Sequence, residues 1–421
     1  MSKVFNISVV GGAGHIGLPL SCYLQNHGHK VTVIDKNQKV MDDASNGIVP
    51  FEEIDFEDNL NEALKKGLKF SSDMSAVAQT DSVFITLGTS SNKDDIKLFD
   101  GVIDQVLRNI KDETKIILRS TVTLESIFKV KNNKLFDEKK LFLSYCPERI
   151  AEGLAYKELK SLPQVVGGED EESVNSASEL FSTLAPEILK TDFITAELVK
   201  LFNNISRYIN FAVANQFALI ADDFGANIYE TRRLANHNYP RCNLAMPGFT
   251  AGTCLRKDFG MINEWSPYPD MLLSAWKMNE FTPAMLVEQL NKRAAIHNKR
   301  VAVMGFTFKA DTDDIRDSLV PKLCRYIERK IPFDVRVTDH HLPSMIDEPS
   351  SCEMIKNWQC SEALEEADCV FVATNHTGYK EELQKLATMR PNAWIADIWN
   401  VGGIDQIFYK ASDLIQNGEK V

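Results

Sequence analysis

The feature that most constrains the 421-residue chain lies at its start. Val4 to Val10 is a short apolar, β-branched run that stops at Gly11-Gly12. Gly12-Ala13-Gly14-His15-Ile16-Gly17 follows, then Leu18 to Asn26 with helical spacing and Gly28 as a helix stop. A second apolar run, Val31 to Ile34, closes on Asp35. Strand, glycine turn, helix and parallel strand in that order admit few folds. The glycines serve a tight turn, backbone approach to a pyrophosphate and close helix–strand packing, and Asp35 is placed to accept from a ribose 2′-hydroxyl. An acid at that point repels a 2′-phosphate, so the pattern predicts NAD over NADP.

Further buried-strand candidates run over Ser82 to Leu87, Lys115 to Leu118, Leu141 to Tyr145 and Gln164 to Val166, with helical stretches between most of them. Residues 1–192 therefore read as one doubly wound α/β domain. The middle differs. Thr195 to Ile220 has no glycine or proline, and Leu201, Ile205, Tyr208, Ala212 and Leu219 share one helical face. Thr195 is the expected N-cap of this long helix, with Glu197 in its first turn. Shorter helices are expected to about Asn236, and another stretch from about Met271 to His297. Strand signals return at Arg300 to Met304, Val335 to Val337, Cys369 to Ala373 and Trp394 to Ile395. The expected organisation is 1–192, a helical segment 193–298, and a smaller α/β domain 299–421.

Composition excludes several function classes. A net charge of −12 argues against a nucleic-acid or anionic-membrane binder, which needs a basic face. No run of about 18 apolar residues suggests a membrane span. The first residues enter a strand pattern without the apolar core of a signal peptide. The cysteines at 22, 146, 242, 254, 324, 352, 360 and 369 form no CxxC pair, so reduced thiols in a cytoplasmic protein are expected, without disulfides or zinc. His340-His341 and His376 show no metal-ligand spacing and read as surface or loop residues. The acidic run Asp311 to Asp314 lacks the spacing of a calcium loop.

Three segments carry candidate chemistry. Cys254 lies in Pro247-Gly248-Phe249-Thr250-Ala251-Gly252-Thr253-Cys254-Leu255-Arg256-Lys257-Asp258, a glycine-containing loop followed by basic residues that suit a nucleophilic thiolate. A lone cysteine read by itself is more often a small buried hydrophobe. Lys200 and Asn204 are four apart on the long helix and share a face. That face could hold a lysine available for proton transfer or an ordinary solvated one. Pro147-Glu148-Arg149-Ile150-Ala151-Glu152-Gly153 follows a strand end, where ligands of open α/β sheets sit. Its glutamates could handle water or protons, or be plain loop carboxylates.

Taken together these segments resemble the UDP-glucose/GDP-mannose dehydrogenase family over nearly the whole chain. Gly47 through Pro50-Phe51 is similar to its "NG…PF" turn, and Arg119-Ser120-Thr121-Val122 to its "KSTVP" strand end. Cys146 to Gly153 resembles "PEF.AEG", Glu197 to Asn204 "E…K…N", and Gly248 to Asp258 "GFGGSCF.KD". Gly305-Phe306-Thr307-Phe308-Lys309 with Asp313 to Ser318 resembles "GLAFK..T.D.R.S". Departures are Ala251-Gly252-Thr253 before the cysteine, Thr89-Ser90, Val122-Thr123 and Asp339-His340-His341.

The resemblance implies two Rossmann-like doubly wound domains joined by a long central helix and a helical dimerisation segment, the last domain binding UDP. It implies an NAD-dependent, four-electron oxidation of a nucleotide sugar at C6 to the uronic acid, supplying surface polysaccharide synthesis. By matching position, Cys254 would be the nucleophile, Lys200, Asp258 and Asn204 would serve the substrate oxygen, and Thr121 and Glu148 would position and activate the hydrolytic water. Cofactor contacts would come from Gly12, Gly14, His15, Ile16, Gly17, Asp35, Lys36, Thr86, Gly88, Thr121 and Glu152. Substrate contacts would come from Glu148, Arg149, Ile150, Lys200, Asn204, Arg241, Gly252, Lys309 and Arg316. Arg149 stands where UDP-glucose enzymes carry an aromatic residue, which favours a UDP-N-acetylhexosamine such as UDP-ManNAc or UDP-GlcNAc over UDP-glucose. The expected partners are this small molecule and a second copy of the chain. A single-step β-hydroxyacid dehydrogenase and a silent nucleotide-sugar-binding protein are the rival readings.

Overall fold

The computed structural model describes residues 3–89, 93–150, 153–348 and 353–418. The chain divides into two compact units, Met1–Asn203 and Asn204–Val421.

In the first unit the apolar runs become β1 (Asn6–Val10), β2 (Lys30–Ile34), β3 (Lys69–Ser71), β4 (Ser82–Ile85), β5 (Lys115–Leu118), β6 (Phe142–Tyr145), β7 (Gln164–Gly168) and β8 (Ile188–Asp192). They pair in the order β3-β2-β1-β4-β5-β6-β7-β8. All neighbours are parallel except β6 and β7. Helices cover both faces, so interior strands such as β4 are buried throughout, and that is why they read as continuous apolar runs rather than alternations. Two cores result. One packs Ile7, Val9, Leu18, Leu20 and Val33 and the other Val10, Val83, Ile85, Ile116 and Leu118. Strand order reverses between β1 and β4, which opens a crevice beyond their carboxyl ends.

The long helix runs Phe193–Asp223. Its cap is Asp192, not Thr195. The Asp192 carboxylate accepts from the Thr195 amide at 2.9 Å and the Thr195 hydroxyl at 2.7 Å. An aspartate three residues earlier satisfies the free amides of the first turn and leaves Thr195 inside the helix. Leu201, Ile205, Tyr208 and Ala212 are buried as the periodicity predicts.

The second unit holds the helices Ile228–Asn236, Thr253–Trp265 and Asp270–Arg293, then β9 (Arg300–Met304), β10 (Asp334–Thr338), the hairpin β11 (Met345–Glu348) and β12 (Glu353–Lys356), β13 (Cys369–Val372), β14 (Trp394–Asp397) and β15 (Phe408–Lys410). The main sheet runs β10-β9-β13-β14-β15, parallel but for β14 with β15. Ala218, Ala221, Leu286, Val287 and Leu290 share one core with Val301, Val303 and Phe371, so these helices and the last sheet fold as one body.

Candidate active site

The glycine loop is built as its sequence requires. The Gly11 and Gly12 amides donate to the Ile34 carbonyl at 2.9 and 3.3 Å, which ties the loop to the end of β2. A Cβ on Gly12 would meet the Val9 carbonyl at 2.6 Å, and one on Gly17 the Gly11 carbonyl at 2.5 Å. Gly14 is exposed, and its Cβ would meet no heavy atom nearer than 3.7 Å. Two glycines thus close the turn, and the third keeps a face bare toward solvent. Asp35 accepts from the Ala13 amide at 3.1 Å and the Asn37 amide at 3.0 Å, so the acid braces the loop it was predicted to serve. His15 stacks on Phe51 with centroids 4.4 Å apart. The Thr86 hydroxyl donates to the Val10 and Gly11 carbonyls at 3.0 Å. Gly88 and Lys36 are exposed. This bare, amide-lined turn beside the strand-order reversal fits a dinucleotide pyrophosphate.

A second cluster of the first unit joins the ends of β5, β6 and β7. Arg119 follows β5, and its side chain is 1% exposed. It pairs with the Glu148 carboxylate and donates to Gln164 Oε1 at 3.0 Å. Burial pulls its guanidinium down to about 10, which still leaves it charged at neutral pH. Glu148 Oε1 accepts from the amides of Arg149 and Ile150 at 2.9 and 3.2 Å. The Glu148 main-chain carbonyl accepts from Lys200 Nζ at 2.6 Å. Arg149 donates through its guanidinium to the Pro163 carbonyl. Removing one partner of a buried ion pair costs about 3–5 kcal/mol, because the other charge is stranded. Thr121 is buried one step past Ser120, and its carbonyl accepts from the Thr89 hydroxyl. Cys146 is fully buried, and desolvation pushes its thiol up to about 12, which disqualifies it as a nucleophile. Glu152 lies outside the described residues.

The second unit holds the candidate Cys254. Cys254 is exposed and sits in the first turn of the helix Thr253–Trp265, behind Gly252 at φ 96°. Helix amides at that end accommodate a thiolate's negative charge. A Cβ on Gly252 would lie 2.7 Å from the Phe308 ring, so this departure-rich loop keeps the glycine it needs. Asp258, one turn beyond Cys254 and on the same face, is fully buried. It accepts from Asn204 Nδ2 at 2.6 Å. Arg256 and Lys322 both pair with buried Glu280, at 3.1 and 2.7 Å, and Arg256 also with Asp317 at 3.0 Å. That charge cluster fixes the helix that carries the thiol.

Other predicted residues fare differently. Arg241 is exposed, its Nε donating to the Tyr239 hydroxyl at 3.1 Å. Arg316 forks onto Asp314, with Nε 3.0 Å from both carboxylate oxygens. Lys309 is half-buried, its carbonyl accepting from the Thr307 hydroxyl at 2.9 Å. His376 is no surface residue. It is buried, with Nδ1 accepting from the Asp311 amide at 2.9 Å and Nε2 lying 3.0 Å from Asp339. His340, His341 and His376 do come within ligating reach of one another, but a metal ion at either ring nitrogen of His376 would displace the bonds that nitrogen already makes, to the Asp311 amide at Nδ1 or to Asp339 and Thr307 at Nε2. The reading of sequence spacing missed this cluster because His340 and His341 follow β10 and His376 follows β13, strands far apart in sequence. Sequence reading also missed Arg119, which no motif marks as buried, and the helix under Cys254.

Among the described residues no helix is long and apolar enough to cross a membrane. Residues 5–185 match the model of the NAD binding domain of the UDP-glucose/GDP-mannose dehydrogenase family, 194–280 its central domain and 302–403 its UDP binding domain. The chain is 30% identical to the UDP-N-acetyl-D-mannosamine dehydrogenase of Methanococcus vannielii over 95% of its length and 93% of the relative's. It is 25% identical to the NDP-N-acetyl-D-galactosaminuronic acid dehydrogenase of Ralstonia nicotianae, covering 91% and 93%. The solved UDP-D-ManNAc dehydrogenase of Pyrococcus horikoshii superposes with a TM-score of 0.81 at 27% identity, covering 91% of this chain and 93% of that one.

Proposed function

The chain belongs to the UDP-glucose/GDP-mannose dehydrogenase family, and from that premise we propose that it oxidises C6 of a UDP-N-acetylhexosamine, UDP-ManNAc first among them, to the carboxylate. One observation carries the mechanism. Cys254 stands at a helix N-terminus with Asp258 one turn on, and Asp258 is held by Asn204. The glycine loop would hold two molecules of NAD in turn, one for each oxidation, and each would supply the hydride acceptor. Lys200 and Asp258 take up the proton lost by the C6 hydroxyl and stabilise the oxyanion, and Asn204 polarises the same oxygen. The Cys254 thiolate adds to the C6 aldehyde, giving a thiohemiacetal that stays on the protein. Its oxidation gives a thioester, which water opens to the acid and the free thiol. Covalent capture prevents loss of a reactive aldehyde and divides a hard oxidation into easier steps. Thr121, at the end of β5, is assigned to orient the hydrolytic water.

The sugar follows from two supports. The relatives named above act, by their names, on N-acetylated sugars, and Arg149 replaces the aromatic residue expected for UDP-glucose. A panel of UDP-ManNAc, UDP-GlcNAc, UDP-GalNAc, UDP-glucose and GDP-mannose in an NADH assay tests it. The expected result is the highest kcat/KM for UDP-ManNAc. Highest turnover of UDP-glucose would replace the substrate while leaving the chemistry. The middle segment, residues 193–298, is assigned to pairing two copies. Val213, Phe217, Ile220 and Phe224 recur at helical spacing and are exposed, as an unburied dimer face would be.

A further inference from the structure

We propose that Asn215 and Asn279, two buried carboxamides outside the residues assigned to the chemistry, are positioning residues that set Cys254 by holding the segment leading into its helix. The inference rests on the proposed function in one respect, that Cys254 is the nucleophile. It explains how a loop that departs from the family's glycine pattern still presents the thiol.

Residues 242–252 form no helix or strand, yet 247–252 are buried throughout. Buried peptide groups need partners, and a segment without a ladder finds them in side chains. Asn215 serves both main-chain groups of Gly248. Its Oδ1 accepts from the Gly248 amide at 2.8 Å, and its Nδ2 donates to the Gly248 carbonyl at 3.0 Å. The same Nδ2 donates to Asn279 Oδ1 at 3.2 Å, so both of its hydrogens are used. Asn279 Oδ1 also accepts from the Thr250 hydroxyl at 3.3 Å, and Asn279 Nδ2 donates to the Tyr208 carbonyl at 3.0 Å. Asn215 and Tyr208 belong to the helix Phe193–Asp223, and Asn279 to the helix Asp270–Arg293. Two helices therefore grip the segment at Gly248 and Thr250. Asn215 is 1% exposed and Asn279 is fully buried.

The grip reaches Cys254 because the segment has no slack. A Cβ on Gly248 would lie 2.3 Å from the Trp399 ring, so the main chain is pressed between that ring and the Asn215 carboxamide. Phe249 and Ala251 are buried in the core that holds Val301 and Val303, and the Ala251 methyl that replaces a family glycine is packed there. Thr250 lies four residues before Cys254. Glu280, next to Asn279, holds Arg256 at 3.1 Å. Adjacent residues of one helix thus fix the approach to Cys254, through Thr250, and the helix that carries it, through Arg256. A carboxamide is the side chain that offers a donor and an acceptor side by side, as the two groups of Gly248 require.

The test uses Asn215→Asp, Thr250→Val, Asn279→Asp and Asn279→Ala in the full chain. Asn215→Asp keeps the shape but turns a carboxylate oxygen toward the Gly248 carbonyl. Its kcat should fall about 10²-fold, the usual penalty for small misplacement of a reacting group, with KM for NAD within about twofold. Thr250→Val should lose about fivefold, the worth of one hydrogen bond. Asn279→Asp keeps the acceptor that Asn215 and Thr250 use, so it should retain more kcat than Asn279→Ala. A readout free of turnover accompanies this. Alkylation of Cys254 by iodoacetamide at neutral pH, measured by mass spectrometry against Cys242, should slow about fivefold in Asn215→Asp, because the helix start that favours the thiolate is displaced. If the wild type oxidises no nucleotide sugar, the proposed function falls, and the labelling still decides the positioning role. Cys254 alkylation that is not slowed overturns the proposal. So does a lowered Tm with kcat within about threefold of wild type, which is the mark of a merely structural role. Asn279→Asp no more active than Asn279→Ala overturns it too. Should Asn215→Asp fail to fold, Thr250→Val carries the same comparison, its Cys254 alkylation expected to slow in step with kcat.

Discussion

Cys254 is one of seven thiols among the described residues, and its surroundings separate it from the rest. Cys22, Cys146 and Cys369 are buried, and desolvation raises each of them. Cys254 is exposed at the start of a helix, with Asp258 one turn away. Cys254→Ser should therefore make at most the first NADH and form no thioester, with a steady-state loss of about 10³-fold or more, since the activated nucleophile is gone. NADH yield per sugar and intact-protein mass check this. A variant that still produced uronic acid would move the nucleophile elsewhere. By spacing alone Lys200 and Cys254 read no differently from an ordinary helix lysine and a small buried hydrophobe, and it was the resemblance that singled them out with Asn204 and Asp258. The partners were not legible. Nothing along the chain says that Arg119 meets Glu148, 29 residues on, because that pair is made by adjacent strands.

At the scale of elements, the glycine loop divides its labour. Gly17→Ala drives a methyl group into the Gly11 carbonyl at 2.5 Å and should unfold the turn, lowering Tm by several degrees and abolishing NAD binding. Gly14→Ala meets no close protein atom, so Tm should hold and only NAD affinity should fall. Thermal melts with and without NAD, joined to a fluorescence titration, separate the two. Equal melting losses in both variants would contradict the division. Strands with unbroken apolar runs, such as β5 and β9, were readable to the residue. β3 is three residues long, β8 reads Ile-Leu-Lys-Thr-Asp, and neither carries a pattern a strand must have. The helix Thr253–Trp265 was hidden for a related reason. Its cap is a glycine without a side chain to signal it, and Gly260 interrupts it. Asp192 took the cap from Thr195 because an acid at the strand end already lay within reach of the free amides.

At the scale of the whole molecule, the two Rossmann-like sheets were foreseen from recurring strand signals. The sharing of a core between the middle helices and the second sheet was not, because periodicity names a buried face but not what covers it. The exposed row Val213, Phe217, Ile220 and Phe224 is the counterpart on the opposite side of that problem. If a second copy covers it, Phe217→Glu should shift the protein from dimer to monomer in light scattering while its helical content stays. A wild-type chain that is monomeric at micromolar concentration would contradict the dimer.

The central claim is that one protein-bound sugar is oxidised twice at C6. Counting NADH against UDP-ManNAc consumed, with excess NAD and the product's charge read by mass spectrometry, tests it most directly. The expected yield is two NADH per sugar and a uronic acid. One NADH per sugar, with a released carbonyl product, would contradict it.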